Sequence, residues 1–280
     1  SEIHIPECYF FDDVASFTAS EVFRDLHDEL ILVKGSRTFG FDYIAELLEQ
    51  KVHETILEVN LNALVDNYNY YRSLMKPETK LVCMVKADAY GAGAVEVSKT
   101  LQDHRVDYLA VAVADEGVTL RKNGITCNII IMNPEMTAFK TMFDYELEPE
   151  VYSFRMMDAL IRAAEKEGIT NYPVHIKLDT GMHRLGFDLD ETTADKVKTI
   201  AQMPNLYVEG IFSMPATGYS YPDTAYCHMQ VGRFMDLCSK LEEMGGPIPM
   251  RHVCDSGATL LFPEMHLELV RPGTYLYGTD

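Results

Sequence analysis

Short apolar runs alternate with stretches of helical periodicity along most of the chain. Eight of these runs have the length and composition of buried strands. They lie at residues 81–85, 108–113, 128–132, 150–153, 174–178, 208–213, 251–254 and 269–278. A further run of alternating polarity, at residues 56–60, precedes them and predicts an opening strand.

Amphipathic segments separate most of the apolar runs and predict helices between the strands. These segments cover about residues 61–74, 94–101, 115–121, 156–167, 192–203 and 229–244. Strands that are joined by helices run parallel to one another, and eight of them predict an α/β fold of the (β/α)8 TIM-barrel type. Periodicity alone leaves an open, doubly wound sheet as an alternative.

The first 52 residues show a smaller and incomplete pattern. Helical periodicity at residues 16–26 and 41–50 flanks an apolar run at residues 30–33, which predicts a strand. Such a group is typical of the edge of a doubly wound sheet, but it is too small to bury a core alone. We therefore predict a partial α/β segment over residues 1–52 and a barrel over residues 53–280.

Composition narrows the choice of partners and compartment. The chain has 280 residues, of which 47% are hydrophobic, and a formal net charge of −19. This charge argues against nucleic acid or an anionic membrane as a partner. We expect a cytoplasmic protein, because no apolar run approaches the roughly 20 residues of a membrane helix and no signal-peptide pattern is evident. The six cysteines lack the paired spacing of metal ligands, so we expect reduced, mostly buried thiols and no metal site.

Candidate chemistry begins with Lys86, which follows the apolar run at residues 81–85. In a barrel, functional side chains stand at the ends of the strands. A lysine that is walled by apolar side chains has a lowered pKa and can form a Schiff base with a carbonyl cofactor. Most lysines at strand ends are ordinary solvated charges, so the interpretation depends on the neighbouring residues.

Two strings resemble motifs of the alanine racemases, a family of enzymes that use pyridoxal 5′-phosphate. The string KADAYGAG, at Lys86–Gly93, resembles the motif of the lysine that carries the cofactor. The string KLDTGMHRLGF, at Lys177–Phe187, resembles the family signature over its whole length. The resemblance covers about residues 55–278 and implies a TIM barrel that binds pyridoxal 5′-phosphate.

The resemblance implies roles for three side chains. Lys86 would carry the cofactor and move the α-proton of the substrate on one face. Arg184 would contact the phenolic oxygen of the cofactor and the substrate carboxylate, a role that suits a planar and permanently charged guanidinium. Lys177 matches a lysine that is carbamylated in some members of the family, where it orients the arginine.

The loops after the last two strands match the phosphate site of the family. Ser256, Gly273 and Thr274 correspond to its phosphate cradle, and Tyr90 adds a phenol hydroxyl. Barrels commonly bind phosphate at these loops through backbone N–H groups and hydroxyls. Arg271 corresponds to the arginine that faces the pyridine nitrogen, where a cation disfavours protonation of that nitrogen.

Two positions depart from the family pattern. Met214 stands where the family has a histidine that stacks on the pyridine ring, and a methionine can pack there but donates no hydrogen bond. Asp255 stands where the family usually has asparagine, and a carboxylate would repel a phosphate unless it is protonated or turned away. Both departures bear on cofactor affinity and not on the fold.

The resemblance also implies a part that these 280 residues do not contain. The racemases continue into a β-rich domain with a catalytic tyrosine, which acts from the partner subunit opposite the lysine. No tyrosine of this chain can be assigned to that role. We therefore expect a homodimer for the intact protein, and cofactor binding with very slow racemisation for these residues.

Near the N-terminus, the string ILVKGSR at Ile31–Arg37 resembles the closing strand of the Mur ligase that adds D-Ala-D-Ala to the UDP-muramoyl tripeptide. A preceding Phe-x-Asp segment matches the end of that family as well. This resemblance implies a fragment of a ligase–racemase fusion that lacks the ATP loop and has no ligase activity. A helical N-terminal extension is the alternative.

The function expected from these resemblances is the interconversion of L- and D-alanine, which supplies D-alanine for peptidoglycan. Alternatives are a barrel that holds pyridoxal phosphate without turnover, a racemase of serine or lysine, an aldolase or decarboxylase on a related barrel, and a non-catalytic scaffold. The signature at Lys177–Phe187 serves substrate binding and argues against a mere carrier. An aldolase would differ in the context of its lysine, whereas the residues that select alanine over serine or lysine lie largely outside this sequence.

Overall fold

A computed structural model describes residues 7–27, 29–35, 40–49, 57–219, 224–245 and 250–278. By its internal contacts the chain divides into two units, Ser1–Glu58 and Val59–Asp280. The predicted boundary near residue 52 falls in the stretch 50–56, which lies outside the described residues. The two-part organisation at residue 52 therefore stays a prediction.

The described part of the first unit contains three short helices. They are α1 (Val14–Thr18), α2 (Glu21–Arg24) and α3 (Phe41–Leu48). Asp13 begins α1, because its carboxylate accepts the N–H of Ser16 at 2.7 Å, and Ser20 begins α2 by accepting the N–H of Phe23 at 3.2 Å. The single helix predicted over residues 16–26 is therefore two helices, since the second cap interrupts the first.

The strand predicted over residues 30–33 is wrong. This stretch has no regular structure, and the side chains of Leu30 and Leu32 are exposed. A strand needs a neighbour that pairs its N–H and C=O groups, and the described residues of this unit provide none. Residues 36–39, which include the end of the ligase-like string, lie outside the described residues.

The described part of the second unit contains nine strands, eight of which form a nearly closed parallel barrel, as predicted. The strands are β1 (Lys80–Met84), β2 (Tyr108–Val111), β3 (Asn128–Ile131), β4 (Glu148–Val151), β5 (Tyr172–Asp179), β6 (Phe187–Asp188), β7 (Leu206–Phe212), β8 (Arg251–His252) and β9 (Leu269–Val270). Their order in space is β8-β7-β5-β4-β3-β2-β1-β9, and β6 pairs with β5 outside this path.

Nine α-helical segments accompany the described strands. They are α4 (Leu61–Ser73), α5 (Lys86–Tyr90), α6 (Ala94–Asp103), α7 (Ala114–Lys122), α8 (Phe139–Asp144), α9 (Phe154–Glu167), α10 (Thr193–Ala201), α11 (Thr224–Gly245) and α12 (Ser256–Leu261). All six predicted helices of this unit are confirmed, as α4, α6, α7, α9, α10 and α11. The pattern missed α5, α8 and α12, because elements of five or six residues are too short to show a helical period.

The opening strand predicted over residues 56–60 is also wrong. Residue 56 lies outside the described residues, and residues 57–60 are not a strand. Leu57 is exposed, and the side chain of Asn60 accepts the N–H groups of Asn62 and Ala63 at 3.0 and 3.2 Å. Asn60 is thus the N-cap of α4, a role that ends extended structure at this residue.

The two faces of β5 show how the barrel is packed. Val174, Ile176 and Leu178 point outward into the main hydrophobic core. His175 and Lys177 alternate with them and point inward, where they meet acidic side chains of β4. An apolar layer also lies inside the barrel and consists of Val82, Met84, Tyr108, Ala110, Ile130, Met250 and Leu269. The interior is therefore a packed core with a polar side, not a pore.

Backbone hydrogen bonds close the gap between β8 and β9. The N–H of Glu268 donates to the carbonyl of Arg251 at 3.2 Å, and the N–H of Arg271 donates to the carbonyl of Cys254 at 3.0 Å. The Glu268 carboxylate also accepts the Arg251 backbone N–H at 2.8 Å and two guanidinium N–H groups at 2.9 and 2.7 Å. The seam therefore depends on Arg251 and Glu268.

We expect Glu268→Ala to lower the free energy of unfolding by about 1–2 kcal/mol, because this partly exposed pair loses a bidentate, charge-assisted contact. Burial opposes ionisation of Glu268, but the hydrogen bonds from Arg251 outweigh it and lower the pKa of the carboxyl. The stabilisation is thus complete above the unfolded-state pKa and is lost as the pH falls through the folded-state pKa. Urea unfolding of both proteins at neutral and acidic pH measures it, with the exposed Glu165→Ala as control. A difference that persists undiminished in acid would contradict this assignment.

Two further sequence expectations concern membranes and cysteines. Within the part of the chain that the structure describes, no helix is both long enough and apolar enough to cross a bilayer. All six cysteines are free thiols, and Cys83, Cys227, Cys238 and Cys254 are buried, as expected. Burial raises the pKa of these four thiols. They are therefore packing residues rather than reactive nucleophiles.

Candidate active site

The residues that the sequence singled out line one cavity of about 440 Å³ at the C-terminal mouth of the barrel. They are Lys86, Tyr90, Lys177, Arg184, Met214, Asp255, Ser256, Arg271, Gly273 and Thr274. Six residues that the sequence analysis did not assign complete the lining: Met84, Ala112, Met132, Asn133, Leu185 and Tyr219. The structure thus brings together residues that are up to 188 positions apart in the chain.

Lys86 stands at the start of an unusual left-handed turn. Its neighbours Ala87, Asp88 and Ala89 have φ angles of 52°, 53° and 53°, and Tyr90 has 56°. Each such L-residue costs about 1–2 kcal/mol relative to right-handed backbone. The turn ends at Gly91, whose φ of 88° is accessible to glycine without a side-chain clash. This conformation places Lys86 and Tyr90 at the same wall of the cavity.

Glu116, in the first turn of α7, holds this turn in place. Its carboxylate accepts the N–H of Ala87 at 2.6 Å and the N–H of Ala112 at 2.7 Å. One side chain thus ties the residue after Lys86 to the end of β2. Sequence analysis missed this role, because the partner N–H at Ala87 is 29 residues away. The only signal was an acidic side chain at a helix start, which is typical of capping.

Gly273 and Ser256 form a small polar cradle beside Tyr90. The N–H of Gly273 donates to the hydroxyl of Ser256 at 2.7 Å. A Cβ at Gly273 would lie 2.7 Å from the hydroxyl of Tyr90, so only glycine leaves this space open. The amine of Lys86 lies 5.9 Å from the centroid of the Tyr90 ring. One end of the cavity therefore contains the Lys86 amine and the hydroxyls of Ser256 and Tyr90. Gly273 has no side chain and leaves open space beside them.

Arg271 is a buried cation on the floor of the cavity. Its guanidinium donates to Nδ1 of His252 at 2.6 Å and to the carbonyl of Ser213 at 2.8 Å, and it lies 5.0 Å from the centroid of the Phe212 ring. Burial lowers the pKa of Arg271 to about 10, so the group is still charged at neutral pH. Burial and the charge of Arg271 lower the pKa of His252, whose Nδ1 is thus an acceptor.

Arg184 lies in the loop between β5 and β6, which Asp179 orders. The Asp179 carboxylate accepts the N–H groups of Gly181 and His183 at 2.9 and 3.0 Å. Arg184 itself is exposed and makes no hydrogen bond or ion pair with other described residues. Lys177, on the adjoining strand, pairs with Glu150 at 2.9 Å. Of these two cavity cations, Lys177 is therefore paired, and Arg184 is not paired with any described residue.

A family model described as the N-terminal domain of alanine racemase matches residues 59–280. The chain belongs to this family. It is 38% identical over 228 residues to the alanine racemase of Methanococcus maripaludis and 37% identical over 223 residues to that of Clostridium tetani. These matches cover 81% and 79% of this chain, but 60% and 57% of the two relatives.

A solved alanine racemase from Clostridium difficile 630 shares the fold, with a TM-score of 0.76 and 34% sequence identity. The match covers 81% of this chain and 60% of that structure. The likeness confirms the TIM barrel and excludes the open sheet that periodicity had left as an alternative. The chain spans about three fifths of the length of these alanine racemases.

Met214, the first departure from the racemase pattern, does line the cavity. Its sulfur lies 3.8 Å from a guanidinium nitrogen of Arg271, and its carbonyl accepts from the side chain of Gln230 at 3.3 Å. A thioether is polarisable and packs well on an aromatic face, but it carries no proton. This position can therefore support a ring by contact alone.

Asp255, the second departure from the racemase pattern, is buried, and its two carboxylate oxygens differ in their hydrogen bonding. One carboxylate oxygen accepts the N–H of Ala258 at 2.9 Å and so begins α12. The other oxygen has no hydrogen-bond partner among the described residues. Burial raises the pKa of Asp255. Burial therefore shifts this carboxyl toward the neutral acid, which is the form that tolerates a nearby phosphate.

We expect Asp255→Asn to tighten the binding of a phosphate ester in this cavity by about tenfold at alkaline pH, since it removes a like charge. The gain should shrink as the pH falls through the pKa of Asp255, because the protonated acid is also neutral. Titration with pyridoxal 5′-phosphate at two pH values measures the effect, with the exposed Asp115→Asn as control. Equal affinities of wild type and Asp255→Asn at alkaline pH would overturn this expectation.

Tyr219 is a cavity residue that sequence analysis missed. Its ring packs against Tyr275 at 5.5 Å between centroids. Burial and the nearby Asp255 carboxylate raise the pKa of Tyr219, so its hydroxyl is a hydrogen-bond donor at neutral pH. Its position in the loop after β7 was the only available signal, because no motif residue accompanies it.

Proposed function

We propose that this chain is the cofactor-binding barrel of a pyridoxal-phosphate-dependent alanine racemase, which interconverts L- and D-alanine. The observation that carries the proposal is the single cavity that joins the Lys86 amine, the Gly273–Ser256 cradle and the guanidinium groups of Arg184 and Arg271. Membership of the family supports it, because the matched relatives are alanine racemases.

The cavity residues fit pyridoxal 5′-phosphate. Its aldehyde needs a primary amine, and Lys86 offers one that makes no hydrogen bond or ion pair with other described residues. Its phosphate needs hydroxyl donors in open space. Ser256 and Tyr90 supply the hydroxyls, and Gly273 leaves the space beside them. Its ring nitrogen would face a cation at Arg271, which limits protonation of that nitrogen.

The chain's residues would divide the work of proton exchange between them. The cofactor, when bound, stabilises negative charge at the α-carbon of the amino acid. Lys86 would hold the cofactor and would then remove or return the α-proton on one face. Arg184 binds the substrate carboxylate and fixes its orientation. A base on the opposite face would come from outside these residues.

Several finer proposals accompany this function. The intact enzyme would be a cytoplasmic homodimer that supplies D-alanine for peptidoglycan, with a second base from the partner subunit. The first 52 residues would be the end of a Mur ligase domain in a fusion protein. These proposals rest on the resemblances of the sequence and on the family membership of residues 59–280.

Exchange of the alanine α-proton with solvent deuterium tests the proposal directly. With pyridoxal 5′-phosphate added, we expect one alanine isomer to gain deuterium at the α-carbon faster than the other isomer appears, because only one base is present. Serine and lysine serve as competing substrates and should exchange more slowly. No exchange with either isomer of alanine, in protein saturated with the cofactor, would contradict the proposal and favour a barrel without turnover.

A further inference from the structure

Strand β4 places two glutamates inside the barrel, and each meets a basic side chain of β5. Glu148 lies 2.8 Å from Nε2 of His175, and Glu150 lies 2.9 Å from Nζ of Lys177. The two pairs are stacked one layer apart, because residues two positions apart on a strand share a face. Only the upper pair reaches the cavity, through Lys177.

The upper pair is almost completely shielded from water. Glu150 is 0% exposed and Lys177 is 4% exposed. Oε1 of Glu150 holds the amine, whereas Oε2 has no hydrogen-bond partner among the described residues. Burial raises the pKa of Glu150 and lowers the pKa of Lys177. The two groups therefore sum to zero charge, whichever of them holds the proton.

Two further cations act on this pair from the cavity. The charges of Arg184 and Arg271 favour ionisation of Glu150 and oppose protonation of Lys177. Lys177 also lies 5.5 Å from the centroid of the Phe212 ring, and Arg271 packs against the same ring. Glu150 is thus the one buried carboxylate that touches Lys177 among the described residues.

We propose that Glu150 is a positioning residue that holds Lys177 as an unmodified amine, so that no carbamate forms on this lysine. The inference rests on the proposed function and deepens it, because it states that Lys177 lines the cavity as an unmodified amine paired with Glu150. Lys177 and Glu150 together then contribute no net charge to the cavity. Arg184 and Arg271 are then the arginines of the cavity that pair with no carboxylate among the described residues, which suits an anionic substrate and cofactor.

The chemistry of carbamylation supports this assignment. A neutral amine attacks carbon dioxide, a nitrogen–carbon bond forms, one proton leaves the nitrogen, and the product is an anion. At Lys177 this anion would replace the amine that now faces Glu150 at 2.9 Å. Two buried carboxylates in contact repel each other strongly, and Glu150 would also lose its hydrogen bond from Lys177. The ion pair and the carbamate therefore exclude each other at this site.

Carbon-13 NMR of the cofactor-free chain with labelled bicarbonate tests the inference. We expect no lysine carbamate signal in the wild-type spectrum. In Glu150→Gln the like charge is gone and the amine is released, so a carbamate signal should appear and should vanish in Glu150→Gln/Lys177→Arg. Glu148→Gln is the matched control, since it removes a buried carboxylate of the same strand without touching Lys177, and it should show no signal.

Two results would overturn the inference. One is a wild-type carbamate signal that is lost in Lys177→Arg, and the other is a folded Glu150→Gln without any carbamate. Circular dichroism checks folding, and if Glu150→Gln does not fold, the wild-type and Lys177→Arg spectra decide alone. The readout needs neither cofactor nor turnover, so failure of the proposed function would leave it unchanged.

Discussion

Lys86→Ala is expected to abolish the visible absorbance band of bound pyridoxal 5′-phosphate and to slow α-proton exchange of alanine by about 10²–10⁴-fold. Lys86 is the amine of the cavity that is free to react. The other lysine of the cavity, Lys177, is held by Glu150 at 2.9 Å in a buried pair. The left-handed turn places Lys86 beside Tyr90 and the phosphate cradle, which no other described lysine adjoins.

Two control variants separate chemistry from charge and packing. Lys80 begins β1, the strand that precedes Lys86, and its amine lies 5.5 Å from the centroid of the Tyr108 ring. Lys80→Ala should therefore keep both the band and the exchange. Lys86→Arg keeps the positive charge but not the primary amine, so it should lose both. If Lys86→Arg retained the band, the assignment of the cofactor to this amine would be wrong.

Gly186→Ala is expected to lower the free energy of unfolding by about 3–4 kcal/mol. A Cβ at this position would lie 2.5 Å from the backbone nitrogen of Asp179 and 2.7 Å from the carbonyl carbon of Leu178. The φ of Gly186 is 138°, a region that L-residues avoid. Relief would require movement of β6 away from β5, and Arg184 precedes Gly186 by only two residues. Substrate carboxylate binding should therefore weaken together with stability.

Gly232→Ala is the matched control for this change. Gly232 lies on α11, and a Cβ there would meet no atom within 4 Å. In a helix interior, alanine is favoured over glycine by roughly 1 kcal/mol, so this variant should be slightly more stable than wild type. Urea unfolding compares the three proteins. If Gly186→Ala unfolded at the wild-type midpoint, the close approach of this loop to β5 would not be a constraint.

Periodicity predicted the barrel well and the isolated runs poorly. The eight strands of the barrel pair with neighbours, so an apolar run was sufficient to identify each. The runs at residues 30–33 and 56–60 have similar composition but no strand to pair with in the described residues. A strand is a property of two chain segments, whereas a helix such as α9 satisfies its own backbone groups. This explains why the two runs that the structure contradicts were both predicted as strands.

The motif residues were identified from resemblance, and the supporting residues were not. Lys86, Arg184 and Arg271 stand in recognisable strings, and the structure brings them into one cavity. Glu116 and Glu150 act through tertiary contacts with Ala87 and Lys177, and nothing in their local sequence marks those partners. Sequence patterns indicate which elements form, but they do not show which buried side chains meet inside the barrel.

Reduction of the protein–cofactor complex with borohydride, followed by peptide mapping, tests the central claim most directly. The chain is incubated with pyridoxal 5′-phosphate, reduced, digested and analysed by mass spectrometry. The account predicts one stoichiometric label, on Lys86, with phosphate competing for its formation. A label that is carried mainly by Lys177 or by surface lysines, or that is insensitive to phosphate, would contradict it.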